Sequence, residues 1–122
     1  MVSETGWPTP IAWVDGTVGL QTKVGSTLCA TAPADDPMRI AYESLFACGP
    51  PTDGDWDVPA LLYALGDRPA TFSELGQGGA AVINPQGGLS WADASPRPHD
   101  VYVHVVDQPT LNQRIDALLV AD

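Results

Sequence analysis

The clearest pattern along the chain lies between Asp100 and Asp122. Val101, Val103 and Val105 alternate with Tyr102, His104 and Val106, and this period-2 run of β-branched residues predicts a strand with the three valines on its buried face. The period then changes. Leu111, Ile115, Leu118 and Leu119 recur at helical spacing, opposite Asn112, Arg114 and Asp116, which predicts an amphipathic helix packed on that strand. Thr110-Leu111-Asn112-Gln113 fits a capping box at its start.

Weaker patterns fill the rest. Gly6-Trp7-Pro8-Thr9-Pro10 reads as a stiff extended lead-in. Ile11 and Trp13, then Val18 and Leu20, flank Asp15-Gly16, the dipeptide that most favours a tight β-hairpin, and Val24 with residues 27–30 could prolong that sheet. Asp35-Asp36-Pro37 begins a helix carrying Met38, Ala41, Tyr42, Leu45 and Cys48 at spacings of three and four, stopped by Gly49-Pro50-Pro51. A second short helix is predicted over 59–65, capped by Asp57. A third begins at Thr71, where Thr71-Phe72-Ser73-Glu74 again fits the capping box. Residues 80–83 and 89–91 read as strands around the turn-forming Asn84-Pro85-Gln86-Gly87-Gly88, and Ser95-Pro96-Arg97-Pro98 as a rigid connector. Runs of strands and helices without strict alternation predict an α+β fold: a mostly antiparallel sheet with two or three short helices packed on one face. At 122 residues, with no internal repeat or linker, residues 1–122 are expected to form a single domain.

Composition changes this picture in two ways. Twelve Gly and 12 Pro favour short elements and many turns, and four Trp supply large faces suited to a core or an interface. The net charge of −10, with five Lys and Arg against 15 Asp and Glu, argues against direct nucleic-acid binding, whose affinity comes from clustered cations. No apolar run is long enough for a membrane span, and the first residues lack a basic leader, so the expectation is a chain made and kept in the cytoplasm or in an assembly built there. Cys29 and Cys48 have neither a metal-ligand spacing nor a cationic neighbour and are expected as two reduced thiols in the core, the alternative being a disulfide between them that geometry permits and sequence does not determine.

Candidate chemistry is sparse. Asp53-Gly54-Asp55-Trp56-Asp57 starts like a calcium loop, but Val58 and Ala64 stand where that loop needs its Gly and its bidentate Glu. His99 and His104 are too differently placed to share a metal, and His104 has no assignable nucleophile to serve as a base. Ser26, Ser73 and Ser90 lack a nucleophile elbow, and Gly76-Gln77-Gly78-Gly79 lacks the residues of a phosphate loop and reads as a flexible connector. No catalytic residue, metal ligand or cofactor site is therefore assigned. If the protein acts through contacts, they are expected from Trp7, Trp13, Trp56, the acidic Asp53 and Asp55, and Tyr102 and His104 on the open side of the last strand.

The strand Val101-Tyr102-Val103-His104-Val105-Val106 followed by the helix from Leu111 to Val120 resembles the ending of small siphophage tail-terminator or tail-completion proteins. The resemblance covers about a fifth of the chain, and the Trp-rich start and acidic middle fall outside it. It implies a non-enzymatic ring subunit at the head-tail junction of a virion, assembled in the host cytoplasm, with its own copies or neighbouring virion proteins as partners. The competing reading is a small acidic cytoplasmic inhibitor or immunity-type protein, steered onto a basic partner by Asp35, Asp36, Asp53, Asp55 and Asp57.

Overall fold

The computed structural model describes residues 9, 11–51, 54–66, 71–93 and 100–120, apart from the side chains of 76–78. Most of the lead-in around Trp7, together with Asp53, His99 and the Pro-rich connector at 95–98, lies outside them. The fold is α+β. Strands β1 (Ala12–Val14), β2 (Phe72–Ile83), β3 (Leu89–Ala92) and β4 (Asp100–Val105) form one sheet in the order β1-β4-β2-β3. β2 pairs antiparallel with both neighbours, but β1 runs parallel to β4, so the sheet is mixed.

That parallel pairing explains the first departure from expectation. The chain does not turn back at Asp15-Gly16; it leaves the sheet as helix α1 (Gly16–Gln21), and the Asp15 carboxylate caps it by accepting from the Thr17 backbone N–H at 2.9 Å. Asp before Gly serves a helix N-terminus as well as a hairpin, and the alternation of Val18 with Leu20 spans too few residues to separate the two. Val18 is buried against the sheet while Leu20 is exposed. Residues 28–31, also expected as strand, form the single turn α2 (Leu28–Thr31).

Helix α3 (Pro37–Phe46) begins where predicted, with Asp36 accepting from Arg39 N at 2.9 Å and Pro37 in the first turn. Helix α4 (Asp57–Ala64) starts two residues earlier than expected. Its free N–H groups are met by Asp55, whose carboxylate accepts from Asp57 N and Val58 N, both at 3.2 Å, so Asp55 does the work expected of Asp57. The helix expected at Thr71 is strand: Phe72 and Glu74 lie on the helix side, paired with Val105 and Val103, while Ser73 and Leu75 lie on the open side, opposite His104 and Tyr102. The glycine-rich run at 76–79 is part of β2, where the register shifts between Leu75 and Gly79. The hairpin around Asn84 forms as predicted, with its Oδ1 accepting from Gln86 N and Gly88 N at 3.0 and 2.8 Å.

Helix α5 (Gln108–Leu119) follows β4, but its cap is Asp107, which accepts from Thr110 N at 3.1 Å and Thr110 Oγ1 at 2.7 Å; Thr110 itself lies within the first turn. Val105, Leu111 and Ile115 form the centre of the core with Val18, Val24 and Leu62, so α1, α4 and α5 cover one face of the sheet. Val103 is fully buried on the same face of β4. Leu118, expected on the buried stripe, is 40% exposed. Helix α3 contributes no fully buried residue. It is tied to α2 by a Cys29–Cys48 disulfide with a Cα–Cα distance of 5.8 Å, which corrects the expectation of two reduced core thiols. The helix and the turn it packs on lie beside the core, so the cysteines serve as an attachment.

Candidate surface sites

Helices cover one face of the sheet, and the other carries a row of aromatic and polar side chains set by strand parity. Trp13 on β1 pairs with Tyr102 on β4, and Tyr102 with Leu75 on β2. Trp91 on β3 pairs with Ala81, and its ring lies 5.6 Å from that of Tyr102, tilted by 42°. Trp13 Nε1 donates to Asp100 Oδ2 at 3.2 Å, and Asp100 is only 2% exposed. Between these rings is a cleft of about 100 Å³, lined by Trp13, Ala81, Leu89, Ser90, Trp91 and Tyr102.

Asp15 closes the end of this row. Its carboxylate is 3.5 Å from His104 Nδ1, a long contact whose imidazole is 40% exposed. Burial works to raise the Asp15 carboxyl, but the hydrogen bonds it accepts from the Thr17 backbone, Tyr102, the Thr17 hydroxyl and His104 outweigh that and hold it below the ordinary carboxyl value. The Tyr102 phenol is pushed up to about 12, first by burial and then by its hydrogen bond to, and the charge of, Asp15. Three of the expected contact residues, Trp13, Tyr102 and His104, are thus brought together. Trp91, Asp15 and Asp100 join them without having been singled out; the signal for Trp91 was its pairing parity across the hairpin, which is legible only once the loop length is known.

Asp55 and Trp56 lie elsewhere. They border a groove of about 410 Å³ between α3 and the end of α5, floored by Val24, Leu28, Tyr42 and Leu119. Trp56 is 51% exposed, yet its indole sits against Gly19, where a Cβ would fall 2.2 Å from Trp56 Cδ1. Trp7 and Asp53 lie outside the described residues. Among those described, no group of three or more His, Cys, Asp or Glu is placed to hold a metal ion, and no helix is long and apolar enough to cross a membrane.

The third surface is the β2–β3 hairpin. From Leu75 through Ala92 the sequence has no charged residue. Leu75 and Leu89 are exposed on the open face and Val82 on the helix side of the sheet, at 48, 57 and 46%. The chain is thus an α+β protein with an aromatic sheet face, an acidic-rimmed groove and a neutral apolar hairpin. No family model, characterised protein or solved structure matches it.

Proposed function

We propose that this chain is a non-enzymatic assembly subunit of a bacteriophage virion, a tail-terminator-like ring component at the head-tail junction that associates with its own copies or neighbouring virion proteins. The observation that carries the reading is the β2–β3 hairpin, the stretch in which a chain of net charge −10 presents apolar side chains on both sides and no charge at all. Copies of so acidic a subunit repel one another, so a surface for self-association has to be apolar and uncharged. A hairpin meeting a different surface of the next copy makes a head-to-tail contact, and such contacts close into rings when the rotation allows. The β4–α5 ending supports the same reading through its likeness to the tail-terminator ending.

The test is light scattering after size exclusion, across concentration and salt. Oligomers that grow with protein concentration and strengthen with salt, and that are lost in Val82→Asp with the fold intact, are the expected result. A monodisperse monomer at high concentration and high salt refutes self-assembly. A second reading, an inhibitor that docks on a basic protein, draws on the groove where Asp55 and Asp57 flank an exposed Trp56. Binding of that kind weakens steeply with ionic strength, the opposite salt response.

A further inference from the structure

We propose that the cleft on the open face of the sheet is a binding site for an alkylammonium head group, held by the faces of Trp13, Trp91 and Tyr102. The cleft shares Ala81, Leu89, Ser90 and Trp91 with the β2–β3 hairpin, but a small ligand seated among its rings needs no second copy of the chain. Gly79 permits the arrangement: a Cβ there would fall 2.6 Å from Trp91 Cε2 and Nε1, so only glycine lets the indole lie down on β2. In that position Trp91 Nε1 is buried without a hydrogen-bond partner among the described residues. The Trp13 N–H is occupied by Asp100, and the Tyr102 hydroxyl by Asp15. The polar hydrogens of Trp13 and Tyr102 are therefore already used and that of Trp91 is buried, so the three rings offer the cleft mainly their faces, beside Ala81, Leu89 and Ser90.

Ring faces are negative, so they repel anions and attract cations, with Trp the strongest of the aromatic side chains. Here two carboxylates add to that preference. Asp100 and Asp15 accept from the indole of Trp13 and the phenol of Tyr102, pulling each polar hydrogen toward a negative charge and leaving the rings richer in electrons. The chain's charge of −10 raises the local concentration of any cation. Size narrows the class. A cleft of about 100 Å³ suits a small compact head group better than a nucleotide or a sugar. Such a head group comes from a free choline-like compound or from a methylated lysine of another protein, and the chemistry of recognition is the same.

The experiment titrates the full chain with choline and, in parallel, with 3,3-dimethylbutan-1-ol, its uncharged isostere, following the indole N–H resonances. Choline is expected to shift Trp13 and Trp91 and spare Trp56, and to bind at least about tenfold more tightly than the alcohol. Trp91→Leu, which keeps the site apolar, should lose about tenfold in choline affinity, with the unshifted Trp56 signal reporting an intact fold. A peptide bearing trimethyl-lysine that binds more tightly than choline assigns the head group to a protein side chain, and weaker binding assigns it to a free compound. Equal affinity for the alcohol and choline, or choline shifts spread equally to Trp56, or none at all at saturating millimolar concentrations, would overturn the proposal. The first two outcomes do not depend on any variant folding.

Discussion

Helix α3 has ten residues and buries none of them fully; Met38, Ile40 and Leu45 are 51, 52 and 74% exposed. A free helix of that length is marginal in water, so α3 depends on its attachments. Among the described residues these include the Tyr42 hydroxyl bonded to Val24 O with its ring over Gly25, Arg39 Nη1 donating to Ala32 O at 2.6 Å, and the Cys29–Cys48 bridge. Each hydrogen bond contributes about 1 kcal/mol net. The bridge closes a loop with a sequence separation of 19, and the chain-entropy relation gives roughly 11 cal/mol/K for that, or ~3 kcal/mol at 25 °C. It exceeds either hydrogen bond.

Replacing both cysteines by serine should therefore loosen α3 without unfolding the core. Hydrogen exchange reads this directly. The amides of Ile40 and Ala47, bonded to Asp36 O and Glu43 O, report on the helix, and that of Leu111, bonded to Asp107 O, reports on the core. A loss of ~3 kcal/mol in local opening free energy speeds exchange on the order of 10²-fold at the first two, with little change at the third. Unchanged exchange at Ile40 and Ala47 in the double variant would refute the reasoning, because packing would then hold α3 unaided. An equal loss at Leu111 would refute it differently, by making α3 part of the global folding unit.

The remaining predictions concern the core, one close approach and the aromatic row. Ile115→Ala, at a side chain 1% exposed in the centre of the core, should cost about 2–5 kcal/mol by urea unfolding with an unchanged slope, whereas Leu118→Ala, 40% exposed, should cost under about 1.5 kcal/mol. Gly54→Ala places a Cβ 2.2 Å from Gly19 O, a backbone atom that cannot swing aside, and should lower the melting temperature. Gly16→Ala meets nothing within 4 Å and should leave it unchanged or raise it. Ultraviolet titration should find Tyr102 ionising near 12, falling part of the way toward the ordinary value in Asp15→Asn, since burial remains. Tyr102 is raised in the folded chain, so its contribution to stability is whole below about pH 10 and is lost as pH rises through about 12. The depressed Asp15 contributes above its unfolded value and loses that contribution as pH falls through its folded one.

The parts of the fold legible in the sequence were those where one periodicity ran long enough to dominate. Val101 to Val105 and Leu111 to Ile115 are such runs: Val105, Leu111 and Ile115 lie in the centre of the core, Val103 is fully buried, and Val101, near the strand's start, is half-buried. Four-residue signals misled. Asp15-Gly16 satisfies a hairpin and a helix cap alike, and the parallel partner of β1, nearly ninety residues away in the chain, decided between them. Thr71-Phe72-Ser73-Glu74 has the letters of a capping box, but β4 offered a complete edge of N–H and C=O groups, and the glycines after Leu75 gave a helix little to continue with. The bridge was hidden for a similar reason: sequence places Cys29 and Cys48 on separate elements, and only the packing of α2 on α3 makes them neighbours.

The aromatic face shows the same division at the level of a site. Tyr102 and His104 could be assigned to an open side because alternation alone determines which way they point. Trp91 could not, since its side of the sheet depends on how β3 pairs across the Asn84 loop, where a shift of one residue would have turned it to the opposite face. Gly79 makes the dependence concrete, because the indole lies on a strand position where no Cβ stands in its way. Asp100 and Asp15 are the counterpart in charge. Each sits at a strand end, where sequence reads an acidic residue as a cap or a solvated turn, and each is drawn into the row by a ring that donates to it. In a chain with so few cations of its own, carboxylates engaged by aromatic donors leave a face whose remaining electrostatic demand is for positive charge.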